Sequence, residues 1–155
     1  METKFMNEAL LLAKEAAKNG DVPVGAVVVK NGEIIGRGYN LREVNKDSTA
    51  HAEVVAIREA CENLQNWHLD DCELYVTLEP CPMCAGAIIN SRIKTVVFGA
   101  FDKKAGSASK ESVIDLFSLG YNHTPEVFCG IKEKECAELL QDFFLERRKS
   151  NEEVL

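Results

Sequence analysis

Apolar residues recur every three or four positions over residues 4–19 (Phe5, Ala9, Leu12, Ala16), the spacing of one face of an α-helix. The pattern stops at Asn19-Gly20, a pair suited to the left-handed turn that ends helices. The period then shortens. Residues 24–30 and 33–39 are rich in Val and Ile and are separated only by Asn31-Gly32, which predicts two strands joined by a tight hairpin. Residues 40–50 are polar and predict a loop. From His51 the positions Ala52, Val55, Ala56, Glu59 and Ala60 restore helical spacing to about Leu64. Residues 73–77 predict a strand, and after Leu78-Glu79-Pro80 a second helix runs from Cys81 through Ala87, Ile88 and Ile89. Residues 94–98 predict another strand and 99–110 a loop bearing Gly and Lys. A short helix, capped by Ser112 or a neighbour, is expected through Leu119. A last strand at 126–129 leads into a long amphipathic helix over 132–148, with Leu139, Leu140, Phe143 and Phe144 among its apolar positions.

This alternation predicts an α/β protein, one domain over residues 1–155, with helices on both faces of a five-stranded mixed sheet. The stretch between the strands at 94–98 and 126–129 is far longer than a hairpin and includes a helix, which favours parallel pairing of the last two strands. The hairpin makes the start of the sheet antiparallel.

Composition narrows the setting. No apolar run approaches the ~20 residues that span a bilayer, and the N-terminus lacks a secretory pattern, so a cytoplasmic protein without a membrane partner is expected. The six cysteines then read as metal ligands, catalytic groups or small core residues rather than as disulfides. Cys61, Cys72, Cys129 and Cys136 have no second cysteine at ligand spacing; only Cys81 and Cys84 form a Cys-x-x-Cys pair. The formal net charge of −7 argues against sequence-independent nucleic-acid binding, yet a local basic patch can act where the global balance does not.

The chemistry lies in His51-Ala52-Glu53 and Pro80-Cys81-Pro82-Met83-Cys84. Each segment opens a helix. Cysteines three apart at a helix start project to one side, and the positive end of the helix favours the thiolate that binds zinc. One imidazole completes three ligands, which leaves a tetrahedral ion a fourth position for water, the arrangement of a catalytic rather than a structural zinc. Glu53, two residues beyond His51, stays within a helical turn of the metal and supplies a proton carrier. A redox pair would leave His51 and Glu53 without a role, and a zinc ribbon would need a second Cys-x-x-Cys. His68 and His123 read as structural. His-x-Glu followed by Pro-Cys-x-x-Cys is an established signature of zinc deaminases acting on nucleobases.

At these residues, and along nearly the whole chain, the sequence resembles the bacterial tRNA-specific adenosine deaminases of the cytidine-deaminase-like superfamily. The resemblance runs through Asp21-Val22-Pro23-Val24-Gly25-Ala26, Thr49-Ala50-His51-Ala52-Glu53 and the segment from Leu74 to Ala87. It continues in Ser91-Arg92-Ile93 and in Gly99-Ala100-Phe101-Asp102-Lys103-Lys104-Ala105-Gly106. It implies a three-layer α/β/α fold, a homodimer, one zinc per subunit and a tRNA anticodon stem-loop as partner. The implied reaction converts the wobble adenosine to inosine: zinc-bound hydroxide adds to adenine C6, Glu53 protonates the ring nitrogen and then the amine, and ammonia leaves. Carried over by position are Asn40 for the target nucleotide, and Asp102 and Lys104 beside its ribose and phosphate. Asn122, Phe143 and Phe144 are placed near the anticodon loop. The sequence departs from the family at Asn66-Trp67-His68, where Gly-Trp-Arg is common.

The plainer readings are an ordinary solvated loop for Lys103 and Lys104, a core position for at least one of Phe143 and Phe144, and helix-end cations for Arg147, Arg148 and Lys149. If RNA is the substrate, Lys103, Lys104, Lys110 and the 147–149 run should converge around the zinc pocket. Two other functions compete. Deamination of a free base of the guanine or cytosine type would use the same zinc chemistry, need no Lys104, and close the pocket with the last helix. A non-enzymatic zinc-stabilised module would leave Glu53 dispensable, although a closed structural site normally carries a fourth protein ligand.

Overall fold

The computed structural model describes residues 2–154. Helix α1 (Thr3–Lys18) is followed by strands β1 (Gly25–Lys30) and β2 (Glu33–Tyr39). The hairpin turns as expected, with Asn31 and Gly32 at φ 51° and 78°. A single helical turn, α2 (Arg42–Asn45), interrupts the expected loop and leads to α3 (Ala52–Leu64). Then come β3 (Cys72–Leu78), α4 (Pro82–Ser91), β4 (Thr95–Ala100), β5 (Glu126–Cys129) and α5 (Glu133–Val154).

The strands form one five-stranded sheet in the order β2-β1-β3-β4-β5. Strand β1 pairs antiparallel with β2 and β3, while β3–β4 and β4–β5 are parallel. The mixed sheet with a parallel end is the one the sequence predicts. Alternate strand residues feed two apolar layers, as the two-residue period of a strand requires. Ala26, Val28, Leu74, Val76, Val96 and Phe98 face α3 and α4. Val27, Val29, Tyr75 and Val97 face the other side, with Phe5, Met6 and Ala9 of α1 and Cys136 of α5. Burial on both faces explains why β1 and β4 read as continuous apolar runs rather than alternating ones.

Helix α3 lies hard against β2. A Cβ added at Gly38 would meet the Ala52 carbonyl oxygen at 2.4 Å, and one at Gly36 the Ala56 carbonyl oxygen at 2.3 Å. These glycines therefore set the depth at which α3, and with it His51, sits over the sheet.

The helix expected over 112–119 is absent. Only a 3₁₀ turn forms, at Leu116–Ser118. The Ser112 hydroxyl, read as a helix cap, donates instead to the Glu79 carboxyl, and Ala108 bridges to Asp115, so the backbone here is committed to long-range partners. No helix among the described residues is long and apolar enough to cross a membrane.

Candidate active site

The site lies where β3 ends and two helices begin. His51 is the N-cap residue of α3 and Cys81 that of α4, with Pro82 as the first residue of α4, a position that suits its fixed φ and missing N–H. Cys84 follows in the same first turn. The His51 Nδ1 lies 3.7 Å from Cys81 Sγ and 3.5 Å from Cys84 Sγ, and the three donor atoms lie within 4.8 Å of one another. Two sulfurs and one imidazole at this spacing fit a single zinc ion, with a coordination position left over.

Neither His51 nor Cys81 makes the side-chain bond that an N-cap residue usually supplies. Asn40 does it for α3 from outside the helix. Its Oδ1 accepts the Ala52 N–H at 2.9 Å, while its amide donates to the Val22 carbonyl at 3.0 Å. The imidazole is thereby left free for other work.

Charge at the site follows from these contacts. The Cys81 thiol is brought down to about 4, first because Cys84 hydrogen-bonds to it and then because His51 does, against the effect of burial. Cys84 moves up, as the partner in that bond and as a buried thiol. His51 is raised by its bond to Cys81. Glu53, buried at the start of α3, is pushed up to about 7 by burial, with the nearby Cys81 adding to the rise. A carboxyl so placed can both take and release a proton near neutral pH.

His51, Glu53, Cys81, Asn40 and Asp102 line one cavity of about 150 Å³. Asp102 is held by an Asx turn, its Oδ1 accepting the Lys104 and Ala105 N–H groups, each at 3.1 Å. Lys104 stands outside this cavity. With Phe101, Lys103 and Phe144 it lines a neighbouring hollow of about 420 Å³, which shares Val22, Leu78, Asp102 and Ala105 with the first. A third hollow, of about 470 Å³, is bounded by Lys104, Phe144, Arg147 and Arg148. The three make a groove from the cysteines to the outer face of α5, edged by cations and by the half-exposed Phe144 ring. Lys110 and Lys149 line none of them.

The structure separates the two neighbouring phenylalanines. Phe143 turns toward the end of α1, in a hollow with Ala17 and Gly20, beneath the Arg147 guanidinium at 5.1 Å. Asn122 lies further off. The adjacent His123 ring nitrogen is 2.6 Å from the Ile93 carbonyl, and the Glu126 N–H donates to that of Lys94. This is the end where β4 and β5 begin, opposite the end of β3 that carries the cysteines, so one chain does not bring Asn122 to the cavity.

Sequence reasoning passed over three charged residues. Asp21 is buried and binds Arg42, a cavity-lining residue, through Nη2 at 3.0 Å. Glu79, also buried, faces the loop that carries Asp102. Both carboxylates are at element ends, Asp21 after the helix-stopping Gly20 and Glu79 before Pro80-Cys81, and both lie in segments that carry the family resemblance, but neither signal names a partner.

The family described as MafB19-like deaminase matches residues 2–148. The chain is also 51% identical over 146 residues to the tRNA-specific adenosine deaminase of Bacillus subtilis (strain 168), a match spanning 94% of this chain and 89% of that protein. The chain belongs to the tRNA-specific adenosine deaminase family. The Haemophilus influenzae protein of the same name is 49% identical over 96% of this chain and 86% of its own length. A solved structure from a study of A-to-I editing by tRNA:A34 deaminases superposes with a TM-score of 0.86 at 45% identity, covering 90% of this chain and all (100%) of that one. A guanine deaminase from Bacillus subtilis aligns less closely, with a TM-score of 0.63 at 40% identity over 81% of this chain and 83% of that one.

Proposed function

We propose that this protein hydrolyses the wobble adenosine of a tRNA anticodon to inosine, releasing ammonia, at a zinc site formed by His51, Cys81 and Cys84. The observation that carries the reading is the convergence of those three donors at the base of a cavity of about 150 Å³ that His51, Cys81 and the buried Glu53 line. Zinc held there would supply Lewis-acid activation of the attacking water near neutral pH. Glu53 takes one proton as water adds to adenine C6 and delivers it to the ring nitrogen; it then takes the remaining proton from the C6 hydroxyl and passes it to the amine, so that the C–N bond breaks, ammonia leaves and the C6 carbonyl forms. Asn40 and Asp102 border the base and ribose; Lys104 and Phe144 follow the flanking phosphates and bases along the groove. Such a pocket admits a base only after it has left its stack.

The groove supports RNA over a free base, because a small base would need neither the cations nor the Phe144 ring. In this reading the protein is a cytoplasmic homodimer.

The deciding experiment offers the zinc-loaded protein an arginine-tRNA anticodon stem-loop and measures inosine. Turnover is expected. A second reading, deamination of free guanine, draws on the likeness to the guanine deaminase; turnover of guanine without turnover of the stem-loop would establish it instead.

A further inference from the structure

Glu79 is 2% exposed, stands two residues before Cys81, and has no part in the proton transfers described above. Its carboxyl is the hub of the loop between β4 and the 3₁₀ turn. Oε1 accepts the Asp102 N–H at 3.1 Å. Oε2 accepts the Ala108 N–H at 3.0 Å and the Ser112 hydroxyl. All three donors are neutral, and they come from positions spread over eleven residues of a loop with little regular structure of its own.

Further bonds tighten the wrapping. The Ser107 N–H and hydroxyl both donate to the Pro80 carbonyl, at 3.0 and 2.8 Å, and the Gly106 N–H donates to that of Asp102 at 2.9 Å. A Cβ at Gly106 would come within 2.3 Å of Glu79 Oε1, so the loop closes on the carboxyl where only glycine fits. The same β3–α4 junction thus presents Cys81 to the metal position and, through Glu79, fixes the main chain of Asp102 at the cavity wall.

We infer that Glu79 is a positioning residue: it holds the Asp102 loop in register over the cavity and so sets substrate affinity rather than the rate of the chemical step. The inference rests on the proposed deamination for its substrate half, since Asp102 is taken to meet the bound nucleotide.

The test uses Glu79→Gln. A glutamine keeps one acceptor oxygen and turns an NH₂ toward either the Asp102 N–H or the Ala108 N–H, so one of these amides loses its partner whichever way the side chain sits. For zinc-loaded protein, KM for the anticodon stem-loop should rise about tenfold or more, with kcat per bound zinc within about twofold of wild type. Hydrogen exchange at the Asp102 and Ala108 amides should quicken by at least about tenfold. Gly106→Ala, which crowds the same carboxyl from the loop side, should reproduce the KM rise and serves if the glutamine variant does not fold. The inference is overturned if KM stays within about twofold of wild type in both variants, or if kcat falls with zinc content at constant KM, the behaviour of a purely structural residue. Should the wild-type protein leave the stem-loop unchanged, the deaminase reading fails on its own. Amide exchange then decides the loop, and unchanged protection at Asp102 and Ala108 overturns the role given to Glu79.

Discussion

Replacing Asp21 by Asn removes a charge from a buried position without changing the shape of the side chain. Asp21 Oδ1 accepts the Val22 N–H at 2.8 Å and the Arg42 Nε and Nη2 groups at 3.1 and 3.0 Å, and Oδ2 accepts the Glu43 N–H at 3.0 Å. An asparagine oriented to keep the first three sets its NH₂ against the Glu43 N–H, and a buried donor left unpaired costs about 1–3 kcal/mol. Loss of charge also weakens the two Arg42 bonds. Arg42 is 37% exposed and rehydrates, so that loss is held to about 1 kcal/mol in all. The sum, about 2–4 kcal/mol, corresponds to a fall in Tm of roughly 4–16 °C for a chain of this length. Burial alone pushes the Asp21 carboxyl up, but the bonds from Glu43, Arg42 and Val22 outweigh it and hold it below its ordinary 3.8. Its stabilisation is therefore complete above that value and fades as pH falls through the lower folded-state value. Urea melts of both proteins at pH 7 and at successively lower pH test this. A difference below about 0.5 kcal/mol at pH 7, or a gap that widens in acid, would refute the reasoning.

Three further outcomes are expected. Glu53→Gln should bind zinc in the same ratio as wild type by elemental analysis, yet lose about 10²–10⁴ in kcat; loss of zinc would make Glu53 a ligand, and intact turnover would remove Glu53 from the proton transfers. Cys84→Ala should fail to retain stoichiometric zinc after dialysis, because two donors remain; full retention would mean the ligand set is wrong. Neutralising Lys104 and Arg148 together should reduce the slope of log K against log salt for stem-loop binding by about 1.4, some 0.7 for each single-strand phosphate contact. An unchanged slope would remove the groove from the RNA path.

Much of this could be read from the sequence because it is written in local spacing. The hairpin at Asn31-Gly32, the helix starts at His51 and Cys81, and the pairs His51/Glu53 and Cys81/Cys84 depend on neighbours a few positions apart. The loop from Phe101 to Asp115 does not. Its backbone is bonded to Glu79 and Pro80, more than twenty residues upstream, so local spacing marks Ser112 as a helix cap while its hydroxyl belongs to Glu79. Phe143 and Phe144 show the same limit. Helical periodicity places both on α5, but which ring meets the groove is decided by where α1 ends. The family resemblance assigns Asn40 to a nucleotide; that it also caps α3 follows only from the fold that carries β2 back to His51.

The positions of His51 and Cys81 have a consequence for stability. Each occupies the place where a helix commonly recruits Ser, Thr, Asp or Asn, and in α4 no side chain does that job at the N-cap. An ion gripped by both residues, which are 30 positions apart, clasps the first turns of two helices and closes the chain between them, an ordering the unfolded polypeptide cannot retain. By mass action, free metal at a thousand times its dissociation constant adds about 4 kcal/mol to the folded state. A chelator should therefore lower the melting temperature as it abolishes turnover. The ion proposed for the chemistry would then also be a buckle on the fold.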